Sequence, residues 1–99
     1  MKYSFHPAAE KELTEAVAYY NDCQIGLGLE FAKEIYHTIH NILLFPDAWA
    51  PLSENTRRCL TNRFPYGVIY QATDEEIFII AIMQLNRKPD YWKSREIKA

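Results

Sequence analysis

The side chains of this sequence that could do chemistry are concentrated in its second half. All of its arginines fall there, at Arg57, Arg58, Arg63, Arg87 and Arg95. An arginine guanidinium binds phosphate or carboxylate through a planar fork of N–H groups. Tyr91 and Trp92 lie between the last two arginines, where their rings could stack on a nucleic-acid base and the phenol could move a proton. The set predicts a surface that binds a nucleic acid or an acidic protein.

The charge of the chain is divided between its two halves. Residues 1–56 hold three basic and eight acidic side chains, whereas residues 57–99 hold eight basic and five acidic ones. A concentrated positive charge of this kind attracts acidic macromolecules. We therefore expect the cationic side chains of the second half to gather into one exposed patch. A solvated surface with local ion pairs is the alternative.

Other kinds of site have less support in the sequence. His37 and His40 stand three residues apart, but zinc needs three or four ligands and no cluster of Cys, Asp or Glu completes the set. The chain has no Gly-x-Ser-x-Gly elbow, no phosphate-binding glycine loop and no His-Glu-x-x-His motif. Cys59 falls in a predicted strand and is expected in the core. We predict no metal and no cofactor, and a typical hydrolase is disfavoured.

Two helices must precede these residues, because apolar side chains recur at helical spacing in the first half. Pro7 suits the first turn of a helix, and the first stripe is formed by Leu13, Ala16, Val17 and Tyr20. The second stripe, Phe31, Ile35, Ile39 and Ile42, ends before Pro46. The carboxylates Glu10, Glu12 and Glu15 fall off the first stripe, on what we expect to be a solvated face. A short connection makes the two helices an antiparallel hairpin.

The period of the apolar pattern changes from 3.6 to 2 after a predicted loop at residues 46–56. Residues 57–64 alternate, residues 68–73 form a second strand, and residues 77–83 are apolar throughout, as in a central strand covered on both faces. With a short strand at residues 3–5, the order is β-α-α-β-β-β. The sequence thus predicts an α+β fold, with the helical hairpin packed on a small, mostly antiparallel sheet.

Length and composition are those of a globular protein. The 99 residues are 48% hydrophobic and 24% charged, and we expect one domain over residues 1–99. No apolar run approaches the ~18 residues of a membrane span, and the start lacks the apolar stretch of a secretory signal. Cys23 and Cys59 are expected to be reduced thiols in a cytoplasmic protein.

Several short segments, taken in their order along the chain, are similar to those of one family. They are Ala9-Glu10-Lys11-Glu12-Leu13, Ala18-Tyr19-Tyr20, Gly28-Leu29-Glu30-Phe31, Arg57-Arg58, Phe64-Pro65-Tyr66-Gly67-Val68-Ile69-Tyr70, Ala81-Ile82-Met83-Gln84, Arg87-Lys88-Pro89-Asp90-Tyr91-Trp92 and Arg95. Through them the chain resembles the ParE/RelE superfamily of toxins from bacterial type II toxin–antitoxin modules. The resemblance covers residues 5–95, and the Phe-Pro-Tyr and Arg-x-Pro-x-Tyr-Trp segments favour the ParE or plasmid stabilisation branch.

The resemblance implies the fold described above and a growth-inhibiting protein that a cognate antitoxin neutralises by wrapping part of its surface. In the ParE branch the toxin binds DNA gyrase and is not a nuclease. In the RelE branch the toxin enters the ribosome and cuts mRNA, for which Arg63 (or Arg58), Arg87 and Tyr91 would be the catalytic residues here. A family member that has lost toxicity but still binds an antitoxin is the third possibility.

The predicted contact surface consists of Arg57, Arg58, Arg63, Arg87, Tyr91, Trp92 and Arg95. Tyr91 and Trp92 are more readily explained as residues that fold back over the core than as a base-stacking pair. Two departures weaken the nuclease hypothesis: Gln84 stands where this branch often has histidine, and residues 48–56 lack the lysine pair of RelE nucleases. The favoured hypothesis is a ParE-like toxin that acts on gyrase by protein contact, with no membrane partner.

Overall fold

The computed structural model describes residues 1–97, which form two helices on one face of a five-stranded sheet. The elements are β1 (Lys2–Phe5), α1 (Pro7–Cys23), α2 (Leu27–Leu44), β2 (Ala50–Pro51), β3 (Thr56–Leu60), β4 (Tyr66–Ala72) and β5 (Glu76–Gln84), followed by a 3₁₀ turn at Lys93–Arg95. The α+β class and the helical hairpin predicted from the sequence are confirmed.

The sheet has the order β1-β5-β4-β3-β2, and only β1 runs parallel to its neighbour, β5. β5 is therefore inside the sheet, as its unbroken apolar sequence predicts. Residues 46–56 are not wholly a loop, which corrects the prediction, because Ala50 and Pro51 pair with Arg58 and Arg57 of β3.

The first long strand is shorter than the alternating pattern predicts. β3 ends at Leu60, and the chain turns before β4 through hydrogen bonds of Thr61 with the carbonyl oxygens of Phe64 and Tyr66. Phe64 then points into the helix-side core, with 8% of its surface exposed, although a continuous strand would place it on the face opposite Cys59. The turn at residues 61–65 interrupts the strand, so the alternation of residues 57–64 does not predict the face on which Phe64 lies.

Local signals set the starts of both helices. The Nδ1 of His6 accepts the N–H of Ala8 at 3.0 Å and so caps α1, whose first residue is Pro7. Gly26 precedes α2 with φ of 89°, a left-handed conformation that favours glycine. Two residues later Gly28 lies against α1, so that the hairpin closes tightly.

β5 separates two apolar cores. The helix-side core contains Phe31, Ile35, Ile39, Ile77 and Ile79 with their buried neighbours on both helices. On the outer face of the sheet a smaller core is formed by Ile69, Ile80, Ala81, Met83 and Trp92. The outer face is thus closed by the segment that follows β5, residues 86–97, which we call the C-terminal segment.

A β-bulge in β5 brings two consecutive side chains to the outer face. Ile69 pairs with Ala81 while the next residue of β4, Tyr70, pairs with Ile79, so Ile80 is the extra residue. Both Ile80 and Ala81 consequently belong to the outer core. Among the described residues, no helix has the length and apolarity needed to cross a membrane.

Candidate functional site

Among residues 1–97, the polar side chain with the most hydrogen bonds is a glutamate of α1. Glu12 accepts the phenol of Tyr91 at 2.7 Å, the guanidinium of Arg87 at 3.1 Å and that of Arg95 at 2.8 Å. Its side chain is only 11% exposed. We call Glu12, Arg87, Tyr91 and Arg95 the Glu12 cluster. In it a single carboxylate is shared by two cations and one phenol.

The cluster forms where β5 loses its neighbour. β1 pairs with β5 only as far as Ile79, and beyond it no strand in residues 1–97 covers that edge. Side chains supply the missing hydrogen bonds: Glu12 accepts the N–H of Ile82 at 3.1 Å, and Arg95 donates to the carbonyl oxygen of Ile80 at 3.0 Å. The cluster therefore forms ion pairs and also satisfies backbone hydrogen bonds at an uncovered edge of β5.

Tyr91 lies between the two guanidinium groups of the cluster. The Cζ atoms of Arg87 and Arg95 lie 3.8 and 5.0 Å from the centre of its ring. Burial and the hydrogen bond to Glu12 raise the pKa of Tyr91 well above its usual value. The phenol therefore stays protonated and donates to the carboxylate, and is poorly suited to act as a base near neutral pH.

Arg63 belongs to a different part of the surface. Its guanidinium binds Glu30 of α2 at 2.6 Å, with both side chains about half exposed. The neighbouring carboxylate of Glu34 accepts the backbone N–H groups of Arg63 and Phe64 at 2.8 and 3.1 Å. The turn after β3 is thereby fastened to α2, and Arg63 shares no carboxylate with the Glu12 cluster.

Arg57 and Arg58 lie on opposite faces of β3, because consecutive strand residues point in opposite directions. Arg57 pairs with Tyr70 and donates to the carbonyl oxygen of Trp49 at 2.7 Å. Arg58 pairs with Ile69 of the outer core, and its Nε is buried without a hydrogen-bond partner within residues 1–97. Arg58 is thus the arginine whose hydrogen-bonding capacity is least used.

The expectation of one exposed cationic patch is wrong. Arg57 lies on the helix-side face of β3 and Arg58 on its outer face. Arg63 lies beside the first turns of α2, and Arg87 and Arg95 belong to the Glu12 cluster. Ion pairs with helix carboxylates occupy Arg63, Arg87 and Arg95. Three of the five arginines are thus paired locally with carboxylates of the acidic first half, in agreement with the alternative of local ion pairs.

Trp92 does not lie on the surface. Only 2% of its surface is exposed, and it packs on the outer core. Its place in the predicted contact surface is therefore corrected, whereas the prediction that Tyr91 and Trp92 fold back over the core is confirmed. An indole of this size is worth more to stability when buried than it would be on a polar surface.

The end of the C-terminal segment is fastened to the outer face by two further contacts. The Glu96 carboxylate accepts the hydroxyl groups of Ser53, at 2.9 Å, and Thr56. The side-chain amide of Gln71 exchanges two hydrogen bonds with the backbone of Ile97, at 2.8 and 3.1 Å. The segment is therefore held at both its ends, by the Glu12 cluster and by these residues.

An open cleft of about 220 Å³ lies beside the Glu12 cluster. Tyr19 of α1, Tyr66 of β4, Gln84 of β5 and Arg87 line it. Arg87 remains 51% exposed, so one cation of the cluster can still meet another molecule there. Gln84, the position that departs from the family pattern, thus lies in a cleft and not in the core.

The described histidines and cysteines do not form a metal site. Residues 1–97 contain no group of three or more His, Cys, Asp and Glu side chains that could hold a metal ion. His37 and His40 are both exposed on α2. Cys59 is buried, as predicted, and burial raises the pKa of its thiol to about 11.

Glu12 is the residue of this cluster that the sequence analysis missed, because it was assigned to a solvated face. The spacing of Glu12 from the buried alanines of α1 could have indicated its position. Glu12 stands three residues after Ala9 and four before Ala16, both of which are buried, so it lies on the inward side of α1. A carboxylate at such a position requires a cationic partner.

Comparison with known proteins identifies the family. A family model described as the ParE toxin of type II toxin–antitoxin systems, parDE, matches residues 3–89. The chain belongs to this ParE toxin family. Curated relatives named Toxin ParE2, from two strains of Mycobacterium tuberculosis, are 29% identical over 94 residues, covering 86% of this chain and 82% of theirs.

A solved structure supports the fold of this ParE family member. A chain of the chromosomal ParDE TA system from P. aeruginosa superposes with a TM-score of 0.74 at 16% identity, covering 86% of this chain and 96% of that one. As a toxin of a toxin–antitoxin system, the protein has an antitoxin as its partner.

Proposed function

We propose that this ParE-family toxin arrests growth in the cytoplasm by binding a host protein, DNA gyrase, through protein contacts and without cutting nucleic acid. Its antitoxin neutralises it by covering part of its surface. The family assignment gives the toxin and its antitoxin, and the target and the mode of action are the parts we add.

The observation that carries this proposal is that the Glu12 cluster has no base to offer. A nuclease needs a base as well as a cation next to the reacting phosphate. Glu12 already accepts from both arginines of the cluster, and Tyr91 is held as a protonated donor. Arg63, the third residue of the nuclease hypothesis, is paired with Glu30 instead. The three side chains therefore do not form one catalytic centre in this conformation.

Arg58 is the best candidate for direct contact with the target. The stem of Arg58 lies flat over Gly67, where an added Cβ would meet the Arg58 Cγ at 3.1 Å. The adjacent outer-face side chain, Leu60, is 50% exposed. Arginine is enriched among the residues that dominate protein interfaces, and the exposed leucine beside it adds apolar contact area. The exposed guanidinium of Arg87 would add electrostatic steering.

The direct test is DNA supercoiling by purified gyrase in the presence of purified toxin. We expect inhibition by the wild type, relief on adding antitoxin, and at least ~10-fold weaker inhibition by Arg58→Ala, which removes an interface arginine. Lys2→Ala, a loss of one exposed charge on β1, should inhibit like the wild type. Supercoiling that is unaffected at saturating toxin contradicts the gyrase target.

Cells in which the toxin is induced without its antitoxin distinguish the alternatives. Ribosome-associated mRNA cleavage that is abolished by Arg87→Ala, in a variant that still folds, would establish the RelE-like mechanism. Normal growth on induction without antitoxin would indicate a member of the family that has lost toxicity. Arrest with altered supercoiling and intact mRNA is the result that we expect.

A further inference from the structure

The two outer strands of the sheet are protected from further pairing to different degrees. β2, at one edge, has only two residues, and one of them is Pro51. A short strand and a proline are both features that keep a sheet edge from pairing with another chain. β1, at the other edge, has four residues, Lys2–Phe5, and contains no proline. β1 is therefore the edge that remains open to a further strand.

The backbone groups on the open side of β1 belong to Tyr3 and Phe5. Lys2 and His6 donate their N–H groups to carbonyl oxygens of the β5 side, at 3.4 and 2.8 Å, so the even-numbered residues direct their backbone groups towards β5. Alternate residues of a strand direct them the opposite way. Within residues 1–97, no strand lies on that side to receive the N–H and C=O groups of Tyr3 and Phe5.

β1 can pair with a second copy of itself about a two-fold axis. In an antiparallel pair centred on Ser4, Tyr3 lies opposite the partner's Phe5, and Phe5 lies opposite the partner's Tyr3. Each of these pairs exchanges two backbone hydrogen bonds. An axis centred on Tyr3 or on Phe5 would leave one of the two outward-facing residues without a partner in the other strand. The register centred on Ser4 therefore satisfies both residues, and the same four-residue strand supplies both halves of the contact.

The side chains of β1 fit this arrangement on both faces of the sheet. On the helix side, the rings of Tyr3 and Phe5 are in edge-to-face contact, with centroids 6.0 Å apart, and Tyr3 is 40% exposed. The axis places each tyrosine beside the partner's phenylalanine, and aromatic cross-strand pairs stabilise a sheet. On the outer face Ser4 lies at the axis, where its small side chain permits the ~4.5 Å approach of two Cα atoms in a non-hydrogen-bonded pair.

Charge does not oppose the pairing. The ionised side chain of β1 is Lys2, which lies at the end of the strand, outside the pairs of Tyr3 with Phe5. In the register centred on Ser4 it faces the partner's His6. The Nδ1 of His6 accepts the N–H of Ala8 and so carries no proton, which means that Lys2 meets no cation there. Within its own chain Lys2 lies beside Glu76 of β5.

We propose that this toxin pairs with a second copy of itself through β1, so that the two five-stranded sheets join into one continuous sheet. The two-fold axis is perpendicular to the sheet, so the outer faces of both copies, with their Arg58 side chains, point in the same direction and stay free. A contact made by one short strand is small, and small interfaces form weak, transient complexes. The dimer therefore forms at high toxin concentration, and it goes beyond the gyrase proposal without depending on it.

A disulfide across the axis tests the register directly. Cys23→Ser first removes the exposed native thiol. In that background Ser4→Cys places two thiols at the axis, within the Cα separation of about 4.4–6.8 Å that a disulfide requires. Lys2→Cys is the matched control, because its two copies would lie at opposite ends of the paired strands, at least ~13 Å apart. After mild oxidation, we expect at least ~10-fold more disulfide-linked dimer from Ser4→Cys on a non-reducing gel.

Sedimentation equilibrium of the wild-type chain measures the dimer without any added thiol. We expect the mean mass to rise from that of a monomer towards that of a dimer as the concentration increases. Tyr3→Lys places a charge beside the partner's Phe5 and should weaken the dimer at least ~10-fold. Tyr19→Lys, the same change at an exposed tyrosine of α1, should weaken it by less than ~2-fold. Circular dichroism checks that each variant is folded.

Three results would overturn the inference. They are a wild type that stays monomeric at ~500 μM, equal cross-linking of the Ser4→Cys and Lys2→Cys variants, and a dimer that Tyr3→Lys leaves intact. A monomeric toxin whose binding to the antitoxin is weakened by Tyr3→Lys would show that a strand of the antitoxin occupies the edge instead. Inhibition of supercoiling is measured separately, so none of these results decides the gyrase proposal.

Discussion

Glu12 shows how one carboxylate can organise a site at the scale of a single residue. A charge that is mostly removed from water is tolerated only when its hydrogen-bonding capacity is satisfied. Glu12 meets this condition with three side chains and the N–H of Ile82. The Arg95 side chain is only 15% exposed, so its buried charge likewise needs Glu12 as a counter-ion. The pair therefore contributes more to the position of the C-terminal segment than an exposed ion pair would.

Replacing Glu12 tests this dependence. Glu12→Gln keeps the shape but removes the charge, so that two guanidinium groups share a half-buried environment without a counter-ion. We expect a loss of about 3 kcal/mol in the free energy of unfolding, measured by urea denaturation. Glu15→Gln, an exposed change three residues further along α1, should cost less than about 0.5 kcal/mol. Equal effects of the two variants would contradict the role given to Glu12.

At the scale of elements, the closeness of α1 and α2 depends on Gly28. A Cβ added there would lie 2.4 Å from the carbonyl oxygen of Val17 and 3.0 Å from the Cβ of Asn21. Backbone of the first helix thus occupies the space of a side chain. The closest approach of the two helices is therefore set at this point.

Gly28→Ala should therefore force the two helices apart. We expect a loss of about 3 kcal/mol of stability from overpacking, although alanine is the better helix former. Gly26→Ala is the matched control, because an added Cβ there has nothing within 4 Å and only its φ of 89° is unfavourable. It should cost about 1 kcal/mol. A Gly28→Ala variant as stable as the wild type in thermal denaturation would disprove the close approach.

The C-terminal segment acts at the scale of the whole molecule. It covers the outer face of the sheet with Trp92, and it is fastened to α1 through Glu12 and to β4 through Gln71. These contacts join residues that lie far apart along the chain. The segment therefore makes the second side of the sheet a core in place of a solvated surface.

Trp92→Ala measures how much this covering contributes. Removing a buried indole leaves a cavity under the segment, and we expect about 4 kcal/mol of lost stability. Trypsin cleavage after Arg87 should also become faster, because the segment opens more often. Tyr19→Ala, which removes an aromatic ring that is 62% exposed, should cost under about 1 kcal/mol. Slow cleavage in Trp92→Ala would mean that the polar contacts hold the segment alone.

The sequence by itself determined the elements of this protein. The two helical stripes, the apolar strand at β5 and the buried Cys59 were all predicted, because periodicity and apolarity act over a few neighbouring residues. The order of the elements and a set of family segments were enough to identify a ParE-like toxin fold. The same local reasoning failed at Phe64, where a turn interrupts the alternation.

Only the tertiary structure decided what the charged residues do. Glu12 and Arg95 are 83 positions apart, and their meeting depends on where β1 ends, how β5 bulges and where the C-terminal segment returns. The sequence shows that most carboxylates lie in the first half of the chain and all arginines in the second. Which of them form ion pairs depends on their distance in space, and that distance is set by the packing of the sheet against the hairpin. For that reason the arginines that the sequence analysis assigned to one patch are divided among several sites, and three of them form ion pairs with helix carboxylates.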